Sequence, residues 1–249
     1  MNGEDFEEKI YISAELIRKS NFIVVLTGAG ISAESGIPTF RGKDGLWNKY
    51  SPQELATPQA FYKNPSLVWQ WYSWRRKIIK QAQPNAGHYS IARIESIKKE
   101  KFFLITQNID GLHQRAGSKK VIEFHGNIFR EKCISCDFKK YSEEIYEDIP
   151  KCEKCGSILR PDVIWFGEPI PQSIIEESAR IVKEADILLS VGTSSVVYPA
   201  AGFIEYFISS GKKVIEINIE RTPFSDFLVH ISGKAGEILP KIVELLEKT

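Results

Sequence analysis

Five short apolar runs, at 23–26, 102–105, 121–124, 187–191 and 214–217, each give way to glycine or small polar residues. Their predominantly apolar character fits strands covered on both faces, the condition of a parallel sheet. Helical periodicity occupies 6–19, 67–81, 88–99, 173–184, 200–209 and 237–247, between or beside those runs. Strands alternating with helices predict an α/β fold built on a doubly wound, Rossmann-like parallel sheet. Ligands of such sheets lie outside the carboxyl ends of the strands. There the sequence places Thr27-Gly28-Ala29-Gly30, Thr106-Gln107-Asn108-Ile109-Asp110, His125-Gly126, Gly192-Thr193-Ser194 and Asn218-Ile219-Glu220.

Two stretches break the alternation. Residues 42–84 carry an aromatic-rich helix, and 128–161 hold all four cysteines of the 249-residue chain. Both are expected to project from one edge as a smaller lobe, leaving about 1–41, 85–127 and 162–249 to the large lobe. With 43% apolar residues the chain can bury a core, which excludes disorder. Its 33 basic and 32 acidic residues leave a net charge of +1, with no electrostatic footprint for nucleic-acid or membrane-surface binding. No apolar run approaches the about 20 residues that span a bilayer. The polar, acidic stretch 1–8 is unlike a signal peptide. Clustered cysteines then point to metal in a reducing, cytoplasmic setting. Abundant Ile, Lys and Glu with a single Met lean toward a thermophilic source.

Gly28-Ala29-Gly30-Ile31-Ser32-Ala33 fits G-x-G-x-x-A directly after a strand, where glycines let backbone N–H groups approach a pyrophosphate. A purely structural glycine turn would look the same. A hydride-transfer dehydrogenase holds its ribose with an acid about 20 residues further on, at the end of a second strand. Here that window, 38–45, reads as loop, and the candidate ribose holders are Asn218 and Glu220. The pattern therefore suggests NAD without hydride transfer.

Cys133-x₂-Cys136 and Cys152-x₂-Cys155 stand fifteen residues apart, a spacing that closes a four-thiolate shell around one Zn²⁺. Four thiolates leave no open position, so the ion would be structural. Free cysteines packed as small hydrophobes are the plain alternative. A nucleic-acid-binding ribbon is the other, but Glu143, Glu144, Glu147 and Asp148 offset Lys139-Lys140 and no basic stripe results.

In order along about 22–246, the motifs Gly28-Ala29-Gly30-Ile31-Ser32, Gly36-Ile37-Pro38-Thr39-Phe40-Arg41, Thr106-Gln107-Asn108-Ile109-Asp110, Phe124-His125-Gly126, the four cysteines, Gly192-Thr193-Ser194 and Asn218-Ile219-Glu220 resemble the sirtuin family of NAD-dependent protein lysine deacylases. The resemblance implies a single catalytic domain, with NAD as co-substrate across the strand ends. Its pyrophosphate would lie near Gly28, Ala29, Gly192 and Ser194, with Gly30, Trp47, Gln107, Ile109, Thr193, Ile219 and Ala235 beside it. Thr39, Phe40 and Arg41 would belong to a mobile closing loop. Asn108 and Asp110 would line the nicotinamide end. In the implied reaction an acyl-lysine oxygen attacks the anomeric carbon and nicotinamide leaves. His125 then acts as general base on the ribose, and water frees lysine and an acylated ADP-ribose. A histidine, with an ordinary pKa of about 6.5, suits that role; a satisfied strand-end histidine is the alternative. His88, His113 and His230 show no comparable company in the sequence.

The implied partners are acylated-lysine proteins docked as an extended strand along 163–168, with Val163, Phe166 and Gly167 in contact, although an ordinary core strand would read alike. Neither a membrane nor a nucleic acid is implied, and the chain is expected to act as a monomer. Tyr72 and Arg75 are three apart and share a helical face. An arginine among so many aromatics is costly to bury unless an anion meets it, and its planar fork suits a carboxylate. Ala56 adds no bulk. The set resembles the class III subgroup that removes succinyl and malonyl groups. Otherwise Arg75 would face solvent, with Arg76 completing a surface basic pair. Protein ADP-ribosyl transfer, NAD-dependent oxidoreduction and a non-enzymatic zinc module are the competing functions.

Overall fold

A computed structural model describes residues 3–41 and 45–248. Nine strands form among them: β1 Ile23–Thr27, β2 Phe102–Thr106, β3 Val121–Glu123, β4 Gly126–Cys133, β5 Lys139–Tyr141, β6 Leu159–Val163, β7 Ile187–Val191, β8 Lys213–Asn218 and β9 Val229–Ser232. Six of them make a wholly parallel sheet in the order β3-β2-β1-β7-β8-β9. The winding direction reverses between β1 and β7, which opens the crevice where open α/β sheets bind ligands. Thr27 pairs level with both Thr106 and Val191, so three carboxyl ends meet at one height.

The apolar runs are strands because each side chain finds cover. Ile23 and Val25 pack with Ile10, Ile17, Ile91, Ile94, Ile238 and Ile242 of the helices Gly3–Lys19, Ala86–Lys98 and Ala235–Glu247. Val24 and Leu26 pack on the opposite face with Ile181, Ile204 and Phe207 of Gln172–Glu184 and Ala201–Ser209. Each such fully buried side chain contributes about 1.5–3 kcal/mol relative to exposure.

The expected five-strand sheet gains β9. This edge strand pairs only with β8, and two of its four residues are His230 and Ser232, so it lacked an apolar run. The expected run at 121–124 stops at Glu123, and Phe124-His125 form a turn into β4.

β5, β4 and β6 form a separate antiparallel sheet that takes in Gly126 and Val163, just outside the expected insert limits. The expected strand over 163–168 is corrected: only Val163 belongs to β6, and Phe166-Gly167 is a turn. The other insert contributes the helices Pro52–Leu55, Pro58–Lys63 and Pro65–Gln81. The last packs on the small sheet, Trp69 donating its indole N–H to the Leu159 carbonyl at 2.8 Å. Arg76 lies fully buried, paired with Glu131 at 2.9 Å and donating to the Ile128 carbonyl at 2.8 Å. It is therefore no surface cation. The loop expected over 38–45 is irregular through Arg41, and its residues 42–44 lie outside the described residues, as do the first two residues of the acidic 1–8 stretch. Among the described residues no helix is long and apolar enough to cross a membrane.

Candidate active site

The loops after β1 and β7 touch backbone to backbone. Gly28 donates to the Val191 carbonyl at 3.0 Å and Gly30 to the Gly192 carbonyl at 2.8 Å. A Cβ on Gly28 would lie 2.8 Å from the Gly192 oxygen, and one on Gly192, whose φ is +60°, only 2.4 Å from the Ile31 nitrogen. The glycines are thus demanded by loop packing, and the same absence of side chains leaves bare backbone facing the crevice.

The loop after β2 is locked onto that floor. Gln107 Nε2 donates to Thr193 Oγ1 at 3.1 Å, and Asn108 Nδ2 to the Gly28 carbonyl at 3.0 Å and to Ser32 Oγ at 3.2 Å. The Asp110 carboxylate accepts from Ser32 Oγ at 2.8 Å and from the Leu112 N–H at 2.9 Å. Burial raises the Asp110 pKa, opposed by those hydrogen bonds and by Arg75.

Behind this floor stand His88 and His113, ring centroids 4.9 Å apart. His88 Nε2 lies 3.4 Å from Ser32 Oγ, and His113 Nε2 lies 3.0 Å from Thr27 Oγ1. Burial pushes the His88 pKa down to about 4 and that of His113 well below its ordinary value, so both are neutral. Their company is spatial, which sequence inspection missed. The one local signal is the capping box in which the Asn85 N–H donates to His88 Nδ1 at 3.3 Å.

His125 occupies the turn between the two sheets. Its Nδ1 is 3.1 Å from the Gln107 carbonyl, which can only accept, so Nδ1 carries the proton and Nε2 keeps its lone pair. Burial lowers its pKa, partly offset by that hydrogen bond, and the imidazole is neutral near pH 7. Gly126, with φ +83°, makes the turn; a Cβ there would sit 2.2 Å from the Asp162 oxygen.

At the helical-insert end, Arg75 is only 6% exposed and its guanidinium lies 4.6 Å from the Phe40 ring centroid. Its alternative placement in solvent is excluded. Among the described residues it has no hydrogen-bond or ion-pair partner; burial lowers its pKa while Tyr72 and Asp110 oppose the shift. The Tyr72 hydroxyl is equally buried and accepts from Trp165 Nε1 at 2.8 Å; burial raises its pKa, so it stays protonated. Phe166 is tied to Ala56 by an N–H···O bond of 2.9 Å. Phe40, Trp47 and Trp71 stack around the mouth, and Phe166 meets Trp47 edge-on.

One cleft of about 1350 Å³ is lined by His125 and by every residue expected at the cofactor and substrate positions. Ile219 sits at its rim, 65% exposed, and Asn218 spends its amide on the Thr193 carbonyl at 2.9 Å. Tyr50 and Trp71 also line it without having been expected there, as do Ser32, Trp165 and Glu168, which the expected nucleotide motif and 163–168 segment contained without a contact role.

The cysteines lie away from the cleft. Their four sulfurs fall within 4.8 Å of one another, with Cys133–Cys155 at 3.5 Å and Cys136–Cys152 at 3.6 Å. A tetrahedron with Zn–S bonds of about 2.3 Å spaces its sulfurs about 3.8 Å apart, whereas a disulfide requires about 2.05 Å. The donor set fits one closed, structural zinc and offers it no catalytic position.

A Rossmann-like sheet with glycine-lined strand ends, a Cys₄ knuckle and a neutral histidine between the lobes defines a nucleotide-binding enzyme with a metal-stapled second lobe. A model described as the Sir2 family matches residues 28–199, and the chain belongs to that family. An NAD-dependent protein deacylase of Pyrococcus furiosus is 52% identical over 246 residues, covering 94% of this chain and 97% of the relative. A Sir2 homolog–NAD complex superposes with a TM-score of 0.90 at 46% identity, covering 96% of this chain and 94% of its own. Sir2Af2 bound to a myristoylated histone peptide gives 0.80 at 38%, covering 97% and 98%.

Proposed function

We propose that this chain is an NAD-dependent protein lysine deacylase that removes acidic short-chain acyl groups, succinyl and malonyl, as well as acetyl. One observation carries the finer part: a buried arginine with no hydrogen-bond or ion-pair partner among the described residues, Asp110 reaching it only at longer range, shares its cleft with a neutral, correctly protonated histidine. Bound NAD would supply the ADP-ribosyl group that receives the acyl chain as nicotinamide departs.

The chain's own residues then divide the work. Backbone groups of Gly28, Ala29, Gly192 and Ser194, which line the cleft, would hold the pyrophosphate, Asn218 and Glu220 the ribose, and Asn108 and Asp110 the nicotinamide end. Gly30, Gln107, Ile109, Thr193, Ile219 and Ala235 complete the nucleotide wall. Thr39, Phe40 and Arg41, backed by Trp47, close over the site and exclude water. His125 accepts the ribose hydroxyl proton at Nε2, its other nitrogen being held by Gln107. Val163, Phe166 and Gly167 face the substrate backbone. The N–H groups of Ile164, Trp165 and Phe166 are already bonded internally, so a docked peptide strand meets carbonyls and Gly167 there. Tyr72 and Arg75 meet the acyl carboxylate, in space that Ala56 leaves open. One copy supplies all of these groups, so a monomer suffices, and a four-thiolate zinc site suits the reducing cytoplasm.

Paired kinetics on acetyl- and succinyl-lysine peptides test the assignment. A hydrogen-bonded charge contributes about 1.5–3 kcal/mol, so Arg75→Met should lower the succinyl-to-acetyl ratio of kcat/KM by about 10- to 100-fold. A wild-type enzyme without appreciable desuccinylation would refute the carboxylate pocket.

A further inference from the structure

Tyr72 has a single hydroxyl hydrogen, and the structure constrains where it goes. An indole nitrogen only donates. With Trp165 Nε1 at 2.8 Å, the Tyr72 oxygen is an acceptor in that bond, and its own hydrogen is donated to no described residue. Trp165 cannot swing away. It is 3% exposed, and its backbone N–H donates to Glu168 Oε2 at 2.9 Å. The Arg160 guanidinium lies over its ring at 3.4 Å from the centroid. Arg160 in turn grips Glu168 through two bonds of 2.5 and 2.8 Å, and donates to the Val163 carbonyl at 3.0 Å. Phe61 closes another side at 5.3 Å between centroids.

We propose that Trp165 is a positioning residue for acyl selectivity: by filling the acceptor side of Tyr72 it makes that hydroxyl an obligate donor toward an anionic acyl tip. This rests on the reading of Tyr72 and Arg75 as the carboxylate pocket. Without the indole N–H the phenol could rotate and present a lone pair, which repels a carboxylate but is indifferent to an acetyl methyl. The clasp of Arg160, Glu168 and Trp165 therefore extends the selectivity apparatus from the helical insert to the segment that follows β6.

The test replaces Trp165 with 3-benzothienylalanine, which keeps the ring shape and removes only the N–H, alongside Trp165→Phe, Tyr72→Phe and their double variant. Losing the orienting bond should lower the succinyl-to-acetyl ratio of kcat/KM by about fivefold, and Tyr72→Phe by about 20-fold. Because Trp165 acts through Tyr72, the double variant should match Tyr72→Phe alone. Equal loss on both peptides, or multiplicative effects in the double variant, would overturn the proposal. If Arg75→Met also fails to change the ratio, the carboxylate pocket itself falls. A normal Arg75→Met result beside an unresponsive Trp165 rejects only this inference.

Discussion

The proton on Nδ1 of His125 decides what that side chain can do. Held by the Gln107 carbonyl at 3.1 Å, the ring presents Nε2 as a base, and burial holds its pKa below the ordinary value. In the proposed role the active form is the neutral one, so activity should be complete above that depressed pKa and be lost as pH falls through it. The acid limb of kcat/KM should therefore lie below pH of about 6.5, the ordinary histidine value; a limb at or above it would contradict the assignment. Neighbouring arginines show how local context divides like residues. Arg76 is consumed by Glu131, whereas Arg75 lines the cleft over Phe40 with no ion-pair partner among the described residues, Asp110 reaching it only at longer range. The Tyr72–Arg75 spacing was legible in the sequence because three residues define one helical face. The Arg76–Glu131 pair was not, since its partners are 55 residues apart and meet only when the inserts pack.

Among the elements, the turn at Phe124-His125-Gly126 joins the two sheets. Gly126 takes φ +83°, and a Cβ there would collide with the Asp162 carbonyl. Gly126→Ala should destabilise the chain by at least about 2 kcal/mol, a fall in Tm on the order of 5 °C, and displace His125; an unchanged melting curve with full activity would remove the turn from the account. Parallel strands β1, β2, β7 and β8 were readable because burial on both faces leaves a mostly apolar run, interrupted only by Ser190 in β7 and Glu216 in β8. β9 was hidden by its polar content, and the 163–168 segment misled because its apolar residues serve a turn and a cleft wall as well as a strand. The histidine pair beneath the floor was also invisible, since helix and loop bring His88 and His113 together from separate elements.

On the scale of the molecule, the parallel sheet forms one wall of the cleft and the inserts another, the walls that the proposed function gives to nucleotide and acyl group. One apolar cluster unites those inserts, running from Trp69, Trp71 and Tyr72 through Ile128 and Leu159 to Trp165. The Cys₄ knuckle braces its far end, so zinc contributes to folding and not to bond making. The most direct test is mass spectrometry of the products formed from NAD and a succinyl-lysine peptide. The expected products are nicotinamide, deacylated peptide and a succinylated ADP-ribose in equal amounts; His125→Ala should abolish the last two and leave at most the nicotinamide of the step that precedes the histidine. Formation of NADH, or of ADP-ribose attached to the peptide in place of the acylated nucleotide, would contradict the proposed reaction.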